Sequence, residues 1–298
     1  MGTGLTGGGG KMPGVDVASR LGACKRLWHL EGGSRLDGGF RSDVFGCATA
    51  AGAEVVLKLT VTQEQARAEA AALAMWEHTG AAVRLLDADF EHSALILERA
   101  RPATHLPGGD DPFAVEVAAD LLTRLHRARA AAFPFPALEE TYVDLEDQAR
   151  ENAAYEQRTR HAPTRGEAGL QRLGAARAAA MRLCATAGRT VVLHGDFLDK
   201  NLLRDGARYV AIDPIPRVGD PCADVGFFAA GHRPATGILQ RADAIAGQMG
   251  LDQRRAQRWA AVWTVLQTCH AWREDQSDLE TCLASSEFEQ LLRVGEGE

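Results

Sequence analysis

The first third of the chain alternates short apolar runs of β-forming residues with turns containing Gly, Pro or Asp. The remainder carries apolar residues at three- and four-residue intervals. Strands are therefore expected at Trp28 to Leu30, on either side of the turn in Asp37 to Cys47, and at Glu54 to Leu59, Val83 to Asp87 and Ala94 to Glu98. One helix interrupts them, Thr62 to His78. Thr62 is a natural N-cap with Gln65 three positions on, the interior is rich in alanine, and Gly80 stops it. Beyond residue 112 the pattern predicts helices at Phe113 to Ala131, Asp144 to Arg160, Glu167 to Ala187, Thr236 to Met249 and Asp252 to Trp272. Val117, Leu121, Leu122 and Leu125 form one apolar stripe, and Trp259, Val262, Trp263 and Leu266 another; both read as core. His126, beside the first stripe, reads as a structural hydrogen-bonding residue. Between the helices lie a short β-prone run, Val191 to Leu193, and a hairpin in which Leu202-Leu203 and Tyr209 to Ile212 flank the turn Asp205-Gly206.

The change of period near residues 98–102 divides the chain. Residues 14–100 are expected to form a strand-rich lobe and residues 101–298 a mainly helical one, an α+β architecture around a cleft. The Gly-rich residues 1–13 are expected to be disordered. With 298 residues, 46% of them apolar, both lobes can bury a core. A net charge of −7 lacks the basic footprint of a nucleic-acid partner, and no apolar run is long enough for a bilayer span. The six cysteines are scattered without a C-x-x-C pair, the pattern of reduced, buried thiols. With no apolar segment following a basic start at the N-terminus, a cytoplasmic protein is expected.

The chemistry concentrates in residues 191–213. An apolar run ends at His194-Gly195-Asp196, Asn201 follows, and a second apolar run ends at Asp213. Phosphoryl transfer from ATP needs a carboxylate to orient the attacking hydroxyl and two oxygen ligands for magnesium, and this is the order in which kinases present them. Asp196 is the candidate base, and Asn201 and Asp213 the candidate metal ligands. The hairpin about Asp205-Gly206 brings Asn201 and Asp213 together. Lys200, in the same loop, is placed to neutralise charge on the moving phosphoryl group. Lys58, one of only four lysines, lies among β-formers and is the candidate for the nucleotide phosphates, its ordinary alternative being an edge-strand lysine. It needs an acidic partner from the next helix. Glu69, deep in the helix beside Ala66, Ala70 and Leu73, fits better than Glu64 near its start. Gly39 and Ser42 mark a loop over the phosphates, and Glu98 stands where backbone groups would meet the adenine ring.

Other readings are weaker. Gly7 to Lys11 is no phosphate loop, because Leu5 and Met12 occupy required Gly and Ser/Thr positions. A two-metal hydrolase built on His194, Asp196, Asp213 and Asp224 leaves Lys58 and Glu69 without a role. Asp220 and Asp224 are expected to satisfy donors near the catalytic loop. Acidic residues at Asp144, Asp147 and Glu151, and the helix end Trp272, Glu274 and Asp275, are candidates for contacting the acceptor.

His194-Gly195-Asp196 with Asn201, then Ile212-Asp213-Pro214, then Gly219-Asp220-Pro221 and Asp224, resembles the aminoglycoside phosphotransferase family, in particular its streptomycin kinase and hydroxyurea kinase group. That group similarly shows Val-Arg-Leu-Leu before the last strands of the first lobe, here Val83 to Leu86, and Ile-Asp-Pro in place of Asp-Phe-Gly. The resemblance implies a protein-kinase-like bilobal fold, ATP and magnesium as cofactors, Asp196 as base, Asn201 and Asp213 on the metal, and Lys58 paired with Glu69 on the phosphates. No Ala-Pro-Glu signature follows Asp213, which argues against a protein substrate. The expected activity is ATP-dependent phosphorylation of a hydroxyl on a small-molecule antibiotic, with streptomycin-like aminoglycosides leading. A nucleoside or peptide antibiotic, hydroxyurea or a small metabolite is the alternative acceptor, and a nucleotide-binding pseudokinase module the alternative of another class. The protein is expected to act as a monomer or homodimer, without nucleic acid or membrane.

Overall fold

The computed structural model describes residues 17–36, 42–108, 111–128, 132–141, 167–231, 237–275 and 293, with side chains left aside at 167–173 and 267–275. Five strands form an antiparallel sheet: β1 (Leu30–Arg35), β2 (Ser42–Thr49), β3 (Glu54–Thr60), β4 (Leu85–Asp89) and β5 (Ala94–Glu98), in the order β1-β2-β3-β5-β4. Trp28 belongs to the turn before β1 and not to a strand, because a helix the sequence pattern did not predict, α1 (Val17–Leu27), runs up to it. The apolar stripe of α1 is thin, and a charged residue does much of its docking. Buried Arg20 donates to the carbonyls of Thr60 (2.8 Å), His92 (2.7 and 3.1 Å) and Ser93 (3.2 Å).

Strand parity sorts the sheet into two faces. Phe45, Cys47, Val55, Leu57, Leu59, Ala94 and Ile96 pack with Cys24 of α1 in one small core. The opposite face carries Val44, Lys58 and Leu95 in register, and beside them Gly46, Val56 and Leu97. Against this second face lies α2 (Gln63–Trp76), N-capped by Thr62, whose Oγ1 accepts from Gln65 N at 3.1 Å. A 3-10 turn, Glu77–Thr79, follows, and Gly80 closes it at φ +60°.

The core on the α2 side does not stop at the sheet. Leu95, Leu97, Leu73 and Trp76 belong to one apolar cluster with Leu121, Phe197, Phe228 and Trp259 of the helical part. That part contains α3 (Pro112–Leu125), α4 (Glu167–Ala185), α5 (Pro221–Ala230), α6 (Ile238–Met249) and α7 (Gln253–Asp275). The sequence-predicted helix at Asp144 to Arg160 lies outside the described residues, as do residues 1–13. Two short sheets sit at the junction. β6 (Pro102–His105) pairs with the hairpin β8 (Leu202–Asp205) and β9 (Arg208–Ala211), and β7 (Val191–Leu193) pairs with β10 (Arg217–Gly219). The Trp259 and Trp263 stripe is core, as its period predicts.

Candidate active site

The loop after β7 is shaped by a glycine. His194 O accepts from Ile215 N at 2.8 Å, and the chain turns at Gly195 with φ +76°. A Cβ there would stand 1.9 Å from Ile215 O, so no other residue fits without moving backbone. Asp224, from the first turn of α5, holds the loop from beneath. Its Oδ2 accepts from His194 N (2.8 Å), its Oδ1 accepts from Gly195 N (3.0 Å), and His126 Nε2 of α3 lies 3.0 Å from Oδ2. Burial opposes the charged carboxylate, but the His126 bond and these N–H groups hold the Asp224 carboxyl below its ordinary range. With both oxygens spent in this way, Asp224 is a scaffold residue and not a metal ligand.

The His194 ring is fully buried. Its Nδ1 lies 3.4 Å from Asp196 N and its Nε2 3.0 Å from Ile212 O. An amide donor at Nδ1 and a carbonyl at Nε2 select the neutral tautomer protonated on Nε2. Burial pushes the imidazole pKa down, in the same sense. One ring thereby ties the segment of Asp196 to the segment of Asp213.

Asp196 and Asn201 meet as their spacing predicts. Asn201 Nδ2 donates to Asp196 O and to Asp196 Oδ2, both at 2.8 Å, and Lys200 Nζ lies 3.4 Å from Asp196 Oδ2. Asn201 O accepts from Ile212 N at 2.9 Å at the mouth of the β8–β9 hairpin, so the Asp205-Gly206 turn does bring Asn201 and Asp213 together. Asp213 adopts φ +57°, a left-handed conformation rare for a residue with a side chain.

Lys58 reaches from β3 to the segment that follows β9. Its ammonium donates to Glu69 Oε1 and Oε2, both at 2.6 Å, and to Asp213 Oδ1 at 2.8 Å. Lys58 and Glu69 are both buried. Burial works against the charged lysine, but the charges of Glu69 and Asp213 outweigh it and raise its pKa above the usual range. Residues 58, 69 and 213 form one polar cluster and residues 196, 200 and 201 another, joined through the bond from Ile212 N to Asn201 O. Among the described residues their unspent side-chain oxygens are Asp196 Oδ1, Asp213 Oδ2 and Asn201 Oδ1, of which the last two make a hard donor pair suited to magnesium shared with phosphate oxygens. Among the described residues no group of three or more His, Cys, Asp or Glu could hold a metal by itself, so the two-metal alternative finds no ligand set.

Other predicted residues stand further out. Ser42 lies on the Lys58 face of β2, one pair beyond Val44. Glu98 has the parity of the opposite face and its carboxylate lies 3.6 Å from Arg84 Nε, away from the Lys58 face. Gly39, Asp144, Asp147 and Glu151 lie outside the described residues; Trp272, Glu274 and Asp275 fall on the α7 backbone, with side chains not described. His126 and Asp224 take the structural hydrogen-bonding roles expected of them, but sequence reasoning missed that they pair with each other, and missed Arg99, whose Nη1 lies 2.8 Å from where a Gly46 Cβ would be. Neither was legible, because each depends on which distant element comes close.

Residues 27–276 match the family described as aminoglycoside/hydroxyurea antibiotic resistance kinase. Hydroxyurea phosphotransferase of Kitasatospora aureofaciens is 32% identical over 262 residues, covering 85% of this chain and 72% of that protein. Streptomycin 6-kinase of Streptomyces griseus is 30% identical over 292 residues, covering 89% and 85%. Among solved structures, a choline/ethanolamine kinase family protein of Mesorhizobium loti superimposes with a TM-score of 0.64 at 17% identity, covering 93% of this chain and 100% of that one. Aminoglycoside phosphotransferase APH(4)-Ia does so with 0.64 at 14% identity, covering 94% and 100%. These two establish the protein-kinase-like fold.

Proposed function

The chain belongs to the aminoglycoside/hydroxyurea antibiotic resistance kinase family and is a small-molecule kinase; from that premise we propose that it transfers the γ-phosphoryl group of ATP to a hydroxyl of an antibiotic, with a streptomycin-type aminoglycoside as first candidate. The observation that carries this reading is the Lys58–Glu69–Asp213 cluster closing on Asp196 and Asn201 across the cleft. Among the described residues Asp196 Oδ1 has no hydrogen bond, while Oδ2 is held by Asn201, so the free oxygen can accept the acceptor's hydroxyl proton and aim its oxygen at the phosphorus. Lys58 binds phosphate oxygens, and Glu69 keeps it extended across the cleft. Lys200 stands beside the attacking oxygen and offsets negative charge as the phosphoryl group moves. Asn201 and Asp213 would hold magnesium, which when bound neutralises the phosphate oxygens. Gly39 and Ser42 cover the phosphates, the backbone at Glu98 meets the adenine, and the strand-rich residues 14–100 form the nucleotide lobe. Acidic Asp144, Asp147, Glu151, Glu274 and Asp275, with Trp272, are the groups proposed to receive a cationic acceptor.

Hydroxyurea is the second reading, favoured by the relative that phosphorylates it. The deciding experiment incubates the protein with magnesium-ATP and, separately, streptomycin, hydroxyurea and a nucleoside antibiotic, and looks by mass spectrometry for the gain of one phosphoryl group. Streptomycin is expected to gain it. Asp196→Asn should bind nucleotide and transfer phosphate about 10²–10⁴-fold more slowly. Full activity in that variant would remove Asp196 from the mechanism. Nucleotide binding without transfer to any compound would favour a pseudokinase.

A further inference from the structure

Trp76 ends α2, is fully buried, and lies seven positions after Glu69. Seven residues are close to two helical turns, so the two side chains share one stripe of the helix. Glu69 uses that stripe to hold Lys58. Trp76 uses it to stack on His194, with ring centroids 6.2 Å apart and planes inclined by 9°, an offset parallel arrangement. Phe197 meets the same imidazole edge-on at 5.5 Å. A single rigid helix therefore touches the phosphate-side ion pair with one residue and, with another, the imidazole that joins Asp196 to Ile212.

A second observation separates Trp76 from ordinary core. Among the described residues its Nε1 has no hydrogen-bond partner, although it is buried. An unpaired buried donor costs about 1–3 kcal/mol, a penalty that phenylalanine would avoid. Retaining it makes physical sense where the width of the two-ring system is used, and the imidazole plane is what that width covers. The catalytic segment after Asp213 offers Pro214 where protein kinases place the Phe of Asp-Phe-Gly, so no aromatic ring from that side backs the histidine.

We propose that Trp76 is a positioning residue: stacked on His194, it fixes the catalytic loop to α2 and keeps Asp196 in register with the Lys58–Glu69 pair before any ligand arrives. The catalytic consequence rests on the kinase reading above; the coupling of α2 to the loop does not.

The test compares Trp76→Phe, Trp76→Leu and Leu73→Ala in the full chain. Leu73 is buried in the same helix but carries no ring to stack, so it reports packing lost without loss of a stacked ring. Hydrogen–deuterium exchange is followed in peptides covering residues 191–203. The kcat and the nucleotide KM are measured per folded molecule with magnesium-ATP and streptomycin. Trp76→Leu is expected to exchange at least about tenfold faster there and to lose about ten- to a hundredfold in kcat. Its nucleotide KM should stay within about threefold, because Glu69 still holds Lys58. Trp76→Phe, which keeps a ring but not the indole's width, should recover both readouts only in part, and Leu73→Ala should change stability without either. Equal exchange and equal kcat in Trp76→Leu and Leu73→Ala would overturn the proposal; Trp76→Met serves with the same outcomes if Trp76→Leu does not fold. Absence of transfer by the native chain bears on the acceptor alone, since the exchange comparison still decides the coupling.

Discussion

Lys58 carries a charge where water is almost excluded, and what keeps it there is the pair of carboxylates on either side of the cleft. Removing one member of such a cluster leaves the other charge buried and unpaired, which costs about 3–5 kcal/mol. Lys58→Met is accordingly expected to lower unfolding stability by about that much, read from urea titrations. Lys58→Met with Glu69→Leu should recover most of the loss and none of the phosphoryl transfer. A double variant as unstable as the single one would show that Glu69 is not the stranded charge. His194 gives a pH signature. Its folded-state pKa lies below the ordinary 6.5, because burial disfavours the charged ring. The unfolded chain therefore binds a proton before the folded one does. Stability should fall as pH drops below about 6.5, until the folded ring itself titrates. Asp224, also depressed, adds its loss only further into acid, below its ordinary 3.8. The urea midpoint should thus decline between about pH 7 and pH 5, and His194→Asn should flatten that decline. An unchanged slope in the variant would assign the acid sensitivity elsewhere.

Elements are held at their spacing by what is missing as well as by what packs. α5 crosses α7 so closely that a Cβ on Gly226 would lie 2.6 Å from Ala260 N and from Trp259 C. The same crossing is locked polar-side by Asp220, the N-cap of α5, which accepts from Cys222 N (3.0 Å) and from Trp259 Nε1 (2.7 Å), and is paired with Arg255. α5 presents Asp224 to the catalytic loop, so this spacing sets the height of His194 and Gly195. Gly226→Ala should destabilise by about 1–3 kcal/mol or more, through backbone that cannot give way. Gly188→Ala, at a position with nothing within 4 Å of the added carbon, should stay within about 0.5 kcal/mol. Thermal denaturation of the two variants checks the contrast, and equal midpoints would contradict the crossing as described.

For the molecule as a whole, Lys58 of the sheet meets Asp213 of the other part, and one apolar core runs from Leu95 and Trp76 to Phe197 and Trp259. A nucleotide bound to residues from both sides stabilises both. At about a hundred times its Kd, magnesium-ATP should add about 2.7 kcal/mol to the unfolding free energy. A calorimetric shift of that order in the native chain, lost in Lys58→Met with Glu69→Leu, is the expected result. A shift that persists in the double variant would place the nucleotide away from Lys58.

Much of this was readable from order along the chain. Residues 194–213 hold the proposed reacting groups within one loop and one hairpin, so local turn chemistry at Gly195 and Asp205-Gly206 suffices to bring Asp196, Asn201 and Asp213 together. Thr62, Gln65 and the alanine run sufficed for α2, and the position of Glu69 on it sufficed to pair it with Lys58. The helix α1 was not readable, because its attachment depends on Arg20 meeting carbonyls of residues 60, 92 and 93, which no periodicity announces. The contact of Trp76 with His194, the clamp of Asp224 on His126, and the turning of Glu98 away from the cleft were equally silent. The sequence by itself thus determined the candidate chemistry and the elements that carry it, because those follow from residue type, spacing and backbone preference within a few neighbours. Only the tertiary structure decided which buried groups share a charge or a ring face. Those partners lie far apart in the chain, and the packing of α2, α3 and α5 around the catalytic loop is what selects them.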